Sequence, residues 1–160
     1  MENKISILLI LLLPFLAFGQ QTNKVENIIF IYQYEMADGI EQMNKGMTDT
    51  LFSTFQKKKI DVRFFKTDLY DELRDGLKII FEKCKKEQFY ADLIVILRID
   101  YRFGKVHTQE YILENQSSFP FEQRLLFRNH KKYKMPRHNY FDGKVLGADI
   151  LLDINASLKE

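Results

Sequence analysis

Apolar and polar positions alternate along the chain in two different periods, and the switches between them mark the elements. Residues 27–34, NIIFIYQY, are β-branched and aromatic with no polar face, the pattern of a central strand covered on both sides. Ile40, Met43, Met47, Leu51 and Phe55 then recur at three- and four-residue steps, one buried stripe of a helix. Asp38-Gly39-Ile40-Glu41 reads as its capping box, and Lys57-Lys58-Lys59 suits its negative end. Residues 60–66 alternate, with Ile60, Val62 and Phe64 against Asp61 and Arg63, which predicts a strand nearer an edge. Thr67 or Asp68 is the expected cap of a second helix whose buried stripe is Leu73, Leu77, Ile80 and Cys84.

Residues 92–103 hold the longest predicted strand, apolar throughout its first half and alternating in its second. Gly104-Lys105 turns the chain into a strand at about 106–113, and a polar turn at 115–120 leads to another at 121–127. Short turns make these three an antiparallel meander. A basic loop is expected at 131–138. Asn139 with Asp142 then caps a last helix, with Leu146, Ile150, Ile154 and Leu158 on one face. The fold class is therefore α/β, of the α+β kind: a single domain over 27–160, with helices packed on a mixed five-stranded sheet in the order β-α-β-α-β-β-β-α.

The first residues follow neither period. Lys4 precedes an apolar run over 5–18, ISILLILLLPFLAF, too short for a bilayer core that needs about twenty residues. Pro14 late in the run and Ala17-Phe18-Gly19 after it match a signal-peptidase site. The expected organisation is a signal peptide at 1–19, a flexible lead at 20–26 and one exported domain, periplasmic or secreted. No Cys follows the run directly, so a lipid anchor is not expected there, and no later run is long enough for a membrane span.

Composition then removes classes. One Cys excludes a disulfide scaffold and a Cys-based zinc site. A formal net charge of +2 gives no general reason to expect nucleic acid. There is no GxGxxG, GxxxxGK or GxSxG. No catalytic residue, metal site or cofactor is expected.

Phe89-Tyr90-Ala91-Asp92, leading into Leu93-Ile94-Val95-Ile96, places a small-Asp-apolar step before the third strand. With the order of elements over 28–158, this resembles the small envelope domains of the TolB amino-terminal, CsgG and LpoB type. The chain differs in lacking the lipid-bearing Cys of CsgG and LpoB and the propeller of TolB. The resemblance implies a protein-binding envelope module and not a catalyst.

Several residues carry candidate chemistry beside a plainer reading. Cys84, on the buried stripe, reads as a small hydrophobe. His107, His130 and His138 lack metal-ligand spacing, and the basic residues around His130, His138 and Asp142 oppose a cation. Arg98, Asp100 and Arg102 share a strand face, self-neutralising, paired to Lys105, His107 or Glu110, or lining a groove. Gly143 and Gly147, four apart, allow close packing, expected on the sheet.

The segment 122–138 is the most informative. It holds Arg124, Arg128, Lys131, Lys132, Lys134 and Arg137 against Glu122, +5, while the rest of the chain after residue 19 stands at −3. With Tyr133 and Tyr140 interleaved, these basic residues form the candidate surface for another envelope protein with an acidic surface. One alternative is a small acidic ligand at the C-terminal ends of the parallel strands, held by Arg98 and Arg102. The other is a hydrolase or transferase with an unrecognised site. The leader pattern makes a first prediction: mass measurement of exported protein should find a chain starting at Gln20, and an intact Met1 in the soluble fraction would refute it.

Overall fold

A computed structural model describes residues 24–34, 40–68, 73–102, 105–115, 123–135 and 138–158. The expected signal segment, the Asp38-Gly39 cap and the Gly104 turn lie outside them. The elements are β1 (Asn27–Tyr34), α1 (Ile40–Lys57), β2 (Asp61–Asp68), α2 (Leu73–Lys86), β3 (Leu93–Arg102), β4 (Lys105–Asn115), β5 (Gln123–Tyr133) and α3 (Tyr140–Ser157). The five strands form one mixed sheet in the order β2-β1-β3-β4-β5. β1 runs parallel to β2 and β3, and β4 and β5 complete the antiparallel meander. This is the expected α+β domain with its expected order.

The lack of a polar face on β1 follows from its cover. Ile28 and Phe30 join Met43, Met47 and Leu51 of α1 and Leu146, Ile150 and Ile154 of α3 in one core. Ile29 and Ile31 point the other way, into a smaller core with Ile80, Phe81 and Cys84 of α2. The sheet is thus the middle of three layers. Cys84 is a free, buried thiol, and burial raises its pKa, so it is a poor nucleophile. Asp92, the residue of the small-Asp-apolar step, acts locally. Its carboxylate accepts the backbone N–H groups of Glu26 and Asn27 at 2.8 and 2.9 Å. That contact pins the start of β1 beside β3.

Four expectations need correction. Thr67 and Asp68 belong to β2 and do not cap α2, because β1 offers pairing partners through Tyr34. β5 runs on to Tyr133, so the first three residues of the expected basic loop, Lys131, Lys132 and Tyr133, are strand. The long partner β4, paired as far back as Val106, draws it into the ladder, with an irregularity at Ile112/Leu113 absorbing the extra residue. Leu158 is exposed, beyond the buried face of α3. Gly143 and Gly147 pack on helix α1 rather than on the sheet.

That last contact is backbone to backbone. A Cβ on Gly143 would stand 1.8 Å from the Met43 carbonyl oxygen, and one on Gly46 2.0 Å from that of Tyr140. Gly147 closes on Met47 in the same way. The capping box does form, with Asn139 accepting the N–H groups of Phe141 and Asp142, and it starts α3 just where Gly143 meets α1.

Gly143→Ala should therefore destabilise the domain by about 3 kcal/mol or more, at the upper end of overpacking costs. Gly76→Ala, whose Cβ would find its nearest neighbour at 3.4 Å, should be neutral or slightly stabilising. Urea unfolding of the two variants checks the contrast, and equal stabilities would refute the close-packing account.

Candidate functional site

The alternation of β5 sorts the basic segment onto two faces. Opposite Tyr111, Gln109 and His107 of β4 stand Arg128, His130 and Lys132. They lie on the α2 side of the sheet, beyond the strands that α2 covers, and all three are exposed. Arg128 lies over the Tyr111 ring, 5.4 Å from its centroid, and His107 and His130 have ring centroids 6.1 Å apart. Arg98 and Lys105 are exposed on the same face, with Asp100 opposite His107. The open part of this face therefore carries four fixed cations, Arg98, Lys105, Arg128 and Lys132, against the Asp100 carboxylate. Leu125, 52% exposed, extends it.

A polar row crosses the whole sheet here: Thr67, Gln33, Arg98, Gln109 and His130 are successive register partners. Gln33 is buried, and the Thr67 hydroxyl is buried with no hydrogen-bond partner. The expected pairing of the Arg98 face with Glu110 does not occur, because Glu110 lies on the opposite face. The Arg102 side chain is outside the described residues.

The other basic residues are engaged elsewhere. Lys131 turns towards α3 and bridges Asp149 at 2.7 Å and Asp153 at 2.5 Å. The Tyr133 hydroxyl donates to Asp149, and the Asn129 amide reaches Asp153 at 3.5 Å. Arg124 pairs with Glu114 at 2.9 Å. Tyr140 opens α3 and donates to Asp49 at 3.1 Å, with Lys45 over its ring. Lys134 is exposed after the strand, and Arg137 lies outside the described residues. Of the eight candidates, the structure brings Arg128 and Lys132 together on an open face and spends Lys131 and Tyr133 on holding α3 to the sheet edge.

The inner cluster centres on Glu110, which the charge pattern alone did not single out. It is 3% exposed, and one carboxyl oxygen has no partner. Burial, then hydrogen bonding to Asp153, pushes its pKa up to about 9, so it is a neutral acid at pH 7. Burial opposes the charge on Asp149 too, but the Lys131 and Tyr133 contacts outweigh it and hold the carboxyl below its usual value. Burial, then Asp149, raises the Tyr133 phenol. The signal for Glu110 was present in period two: Val106, Thr108, Glu110 and Ile112 share one buried face. Asp149 and Asp153, four apart on the last helix, are its counterpart. Among the described residues, no group of three or more His, Cys, Asp or Glu side chains is placed to hold a metal ion, and no helix is long and apolar enough to cross a membrane.

No family model matches the chain, and no curated protein does. Solved structures give likenesses of arrangement. Lipoprotein GNA1162 from Neisseria meningitidis is similar at a TM-score of 0.38 and 10% identity, covering 82% of this chain and 95% of that one. The LpoB C-terminal domain from Salmonella enterica is similar at 0.38 and 6%, covering 76% and 92%. Protein VC0702 from Vibrio cholerae follows at 0.30 and 9%, covering 72% and 59%. The LpoB-type arrangement expected from the order of elements is thus among the structures this chain resembles.

The buried acid makes a pH prediction. A carboxyl raised to about 9 in the fold and ordinary when unfolded makes unfolding release a proton between those values. Stability should fall as pH rises from the ordinary carboxylate range towards 9. Asp149, shifted down, acts only on the acid side of that window. Glu110→Gln should remove the decline and raise the melting temperature at pH 8.5. A wild-type melting temperature that is flat or rises from pH 5 to 8.5 would refute the account.

Proposed function

We propose that the chain is an exported, non-enzymatic binding module of the cell envelope, and that an acidic protein surface docks on the open face over β4 and β5. The observation that carries this reading is the sorting of β5. It presents Arg128, His130 and Lys132 outward on a face without helix cover, beside Arg98 and Lys105 and next to a sheet edge. The leader pattern at 1–19 supports export. Rigid strands hold these cations at fixed spacing, which favours recognition of a complementary charged surface, and exposed charges act chiefly on association rate. Tyr111 beneath Arg128, together with Leu125, supplies apolar contact area within the charged field.

A second reading has a specific observation behind it. The unsatisfied Thr67 hydroxyl, with Gln33 and Arg98, lies towards the C-terminal ends of three parallel strands, where α/β sheets bind small ligands. A small anion such as a carboxylate or phosphate ester suits that row.

Capture from the native envelope fraction tests the first reading. The double variant Arg128→Ser/Lys132→Ser should fold like the wild type, because exposed charges contribute little to stability. It should capture several-fold less partner, and wild-type capture should weaken as salt rises. Lys57→Ser/Lys59→Ser, at and just beyond the C-terminal end of α1, should capture normally. Undiminished, salt-insensitive capture by the first variant would refute the reading. Arg98→Ser separates the two readings, since a small anion at the polar row should be lost outright while protein capture is only reduced.

A further inference from the structure

Helix α3 is apolar on both sides, whereas a helix lying on a sheet ordinarily turns polar residues outward. Its inner side is the expected one, with Leu146, Ile150 and Ile154 in the core. Its outer side carries Phe141 at 72% exposure, Val145 at 60% and Leu152 at 67%, with the exposed Ala148 between them. Three large apolar side chains in one exposed line are not the scattered surface residues of an ordinary monomer. The spacing is four, three, four, which is the a/d seam of a two-stranded coiled coil.

We propose that the chain self-associates, with α3 of one copy lying parallel to α3 of a second copy along Phe141, Val145, Ala148 and Leu152. The flanking charges select the occupant and its direction. Lys144 comes just before Val145, and Asp149 just after Ala148. Two parallel helices in register set Lys144 of each copy against the other copy's Asp149, five residues on, giving two symmetric opposite-charge contacts. The antiparallel alternative would gather Asp142 and Asp149 of both copies on one flank. Asp149 already accepts from Lys131 and Tyr133, and a carboxylate has acceptor positions to spare. Ala148 at the middle of the seam lets the two backbones approach. Gly143 and Gly147 are turned to α1, so the contact leaves the fold untouched.

The seam spans about 16 Å at 1.5 Å per residue, and three helical turns bury well under the roughly 800 Å² per partner of a standard interface. The association is therefore weak and concentration-dependent. This surface lies on the far side of the sheet from the basic face, so the dimer does not depend on the proposed function.

Sedimentation of the mature chain from micromolar to near-millimolar concentration tests it. The wild type should pass from monomer to dimer. Leu152→Glu should stay monomeric over the same range with an unchanged melting temperature, because the position is exposed. Lys144→Glu should weaken the dimer, and more so at low salt. On a Cys84→Ser background, Phe141→Cys should cross-link to its counterpart under mild oxidation, which a parallel pair allows and an antiparallel pair does not. A wild type that remains monomeric throughout would overturn the proposal, and so would a dimer undisturbed by Leu152→Glu. Monomers that instead bind phosphatidylcholine vesicles through the same residues would also overturn it.

Discussion

The fold turns on the distance between two parallel helix backbones. α1 and α3 share one face of the sheet, and Gly46, Gly143 and Gly147 let them meet carbonyl to Cα, closer than any side chain would allow. That approach aligns Met43 and Met47 with Leu146, Ile150 and Ile154 in a single core over β1 and β3. It also fixes where α3 lies along the sheet, because its capping box at Asn139 and its first glycine are only four residues apart. Once α3 is placed, Asp149 and Asp153 stand above β5, and Lys131 and Tyr133 have partners. The edge strand is thereby held by an ionic contact whose position was decided by a steric one.

This dependence explains how the basic segment behaves. A strand places alternate residues on opposite faces, so a run of cations cannot act as one patch. Lys131 meets two carboxylates and an adjacent buried acid, while Arg128 and Lys132 on either side face outward. Glu110 remains tolerable in the interior because it is protonated there. An ionised carboxylate beside Asp153 would have to overcome both burial and repulsion.

Much of the architecture was legible in the sequence because the periods are clean. β1 without a polar face, the stripe from Ile40 to Phe55 and the Asn139–Asp142 cap all correspond to what the structure shows. What was not legible concerns partners distant in sequence. Thr67 and Asp68 look like helix caps locally, yet β1 offers ladder positions that extend β2 through both. Lys131–Tyr133 reads as loop until β4 supplies a strand long enough to pair with it. Gly143 and Gly147 announce a close contact without naming the surface, and only the placement of α1 decides between helix and sheet. Glu110 belongs to the same class: its alternation with Thr108 and Ile112 marks it as inward, but Asp153 is 43 residues away.

Charge in the sequence likewise converts only in part into charge on the surface. The segment 122–138 counts +5 by residue, yet Lys131 is neutralised by α3 and Arg124 by Glu114. The field on the open face therefore comes from Arg128 and Lys132 together with Arg98 and Lys105, two of which belong to β3 and β4. A surface assembled from three strands is rigid in a way that a loop of equal charge is not, because the ladder fixes each cation relative to the next. Such a surface carries a fixed spacing of charge as well as a sign. The ionic contacts of Lys131 then act indirectly, by keeping β5 in register so that the residues on either side of it point outward.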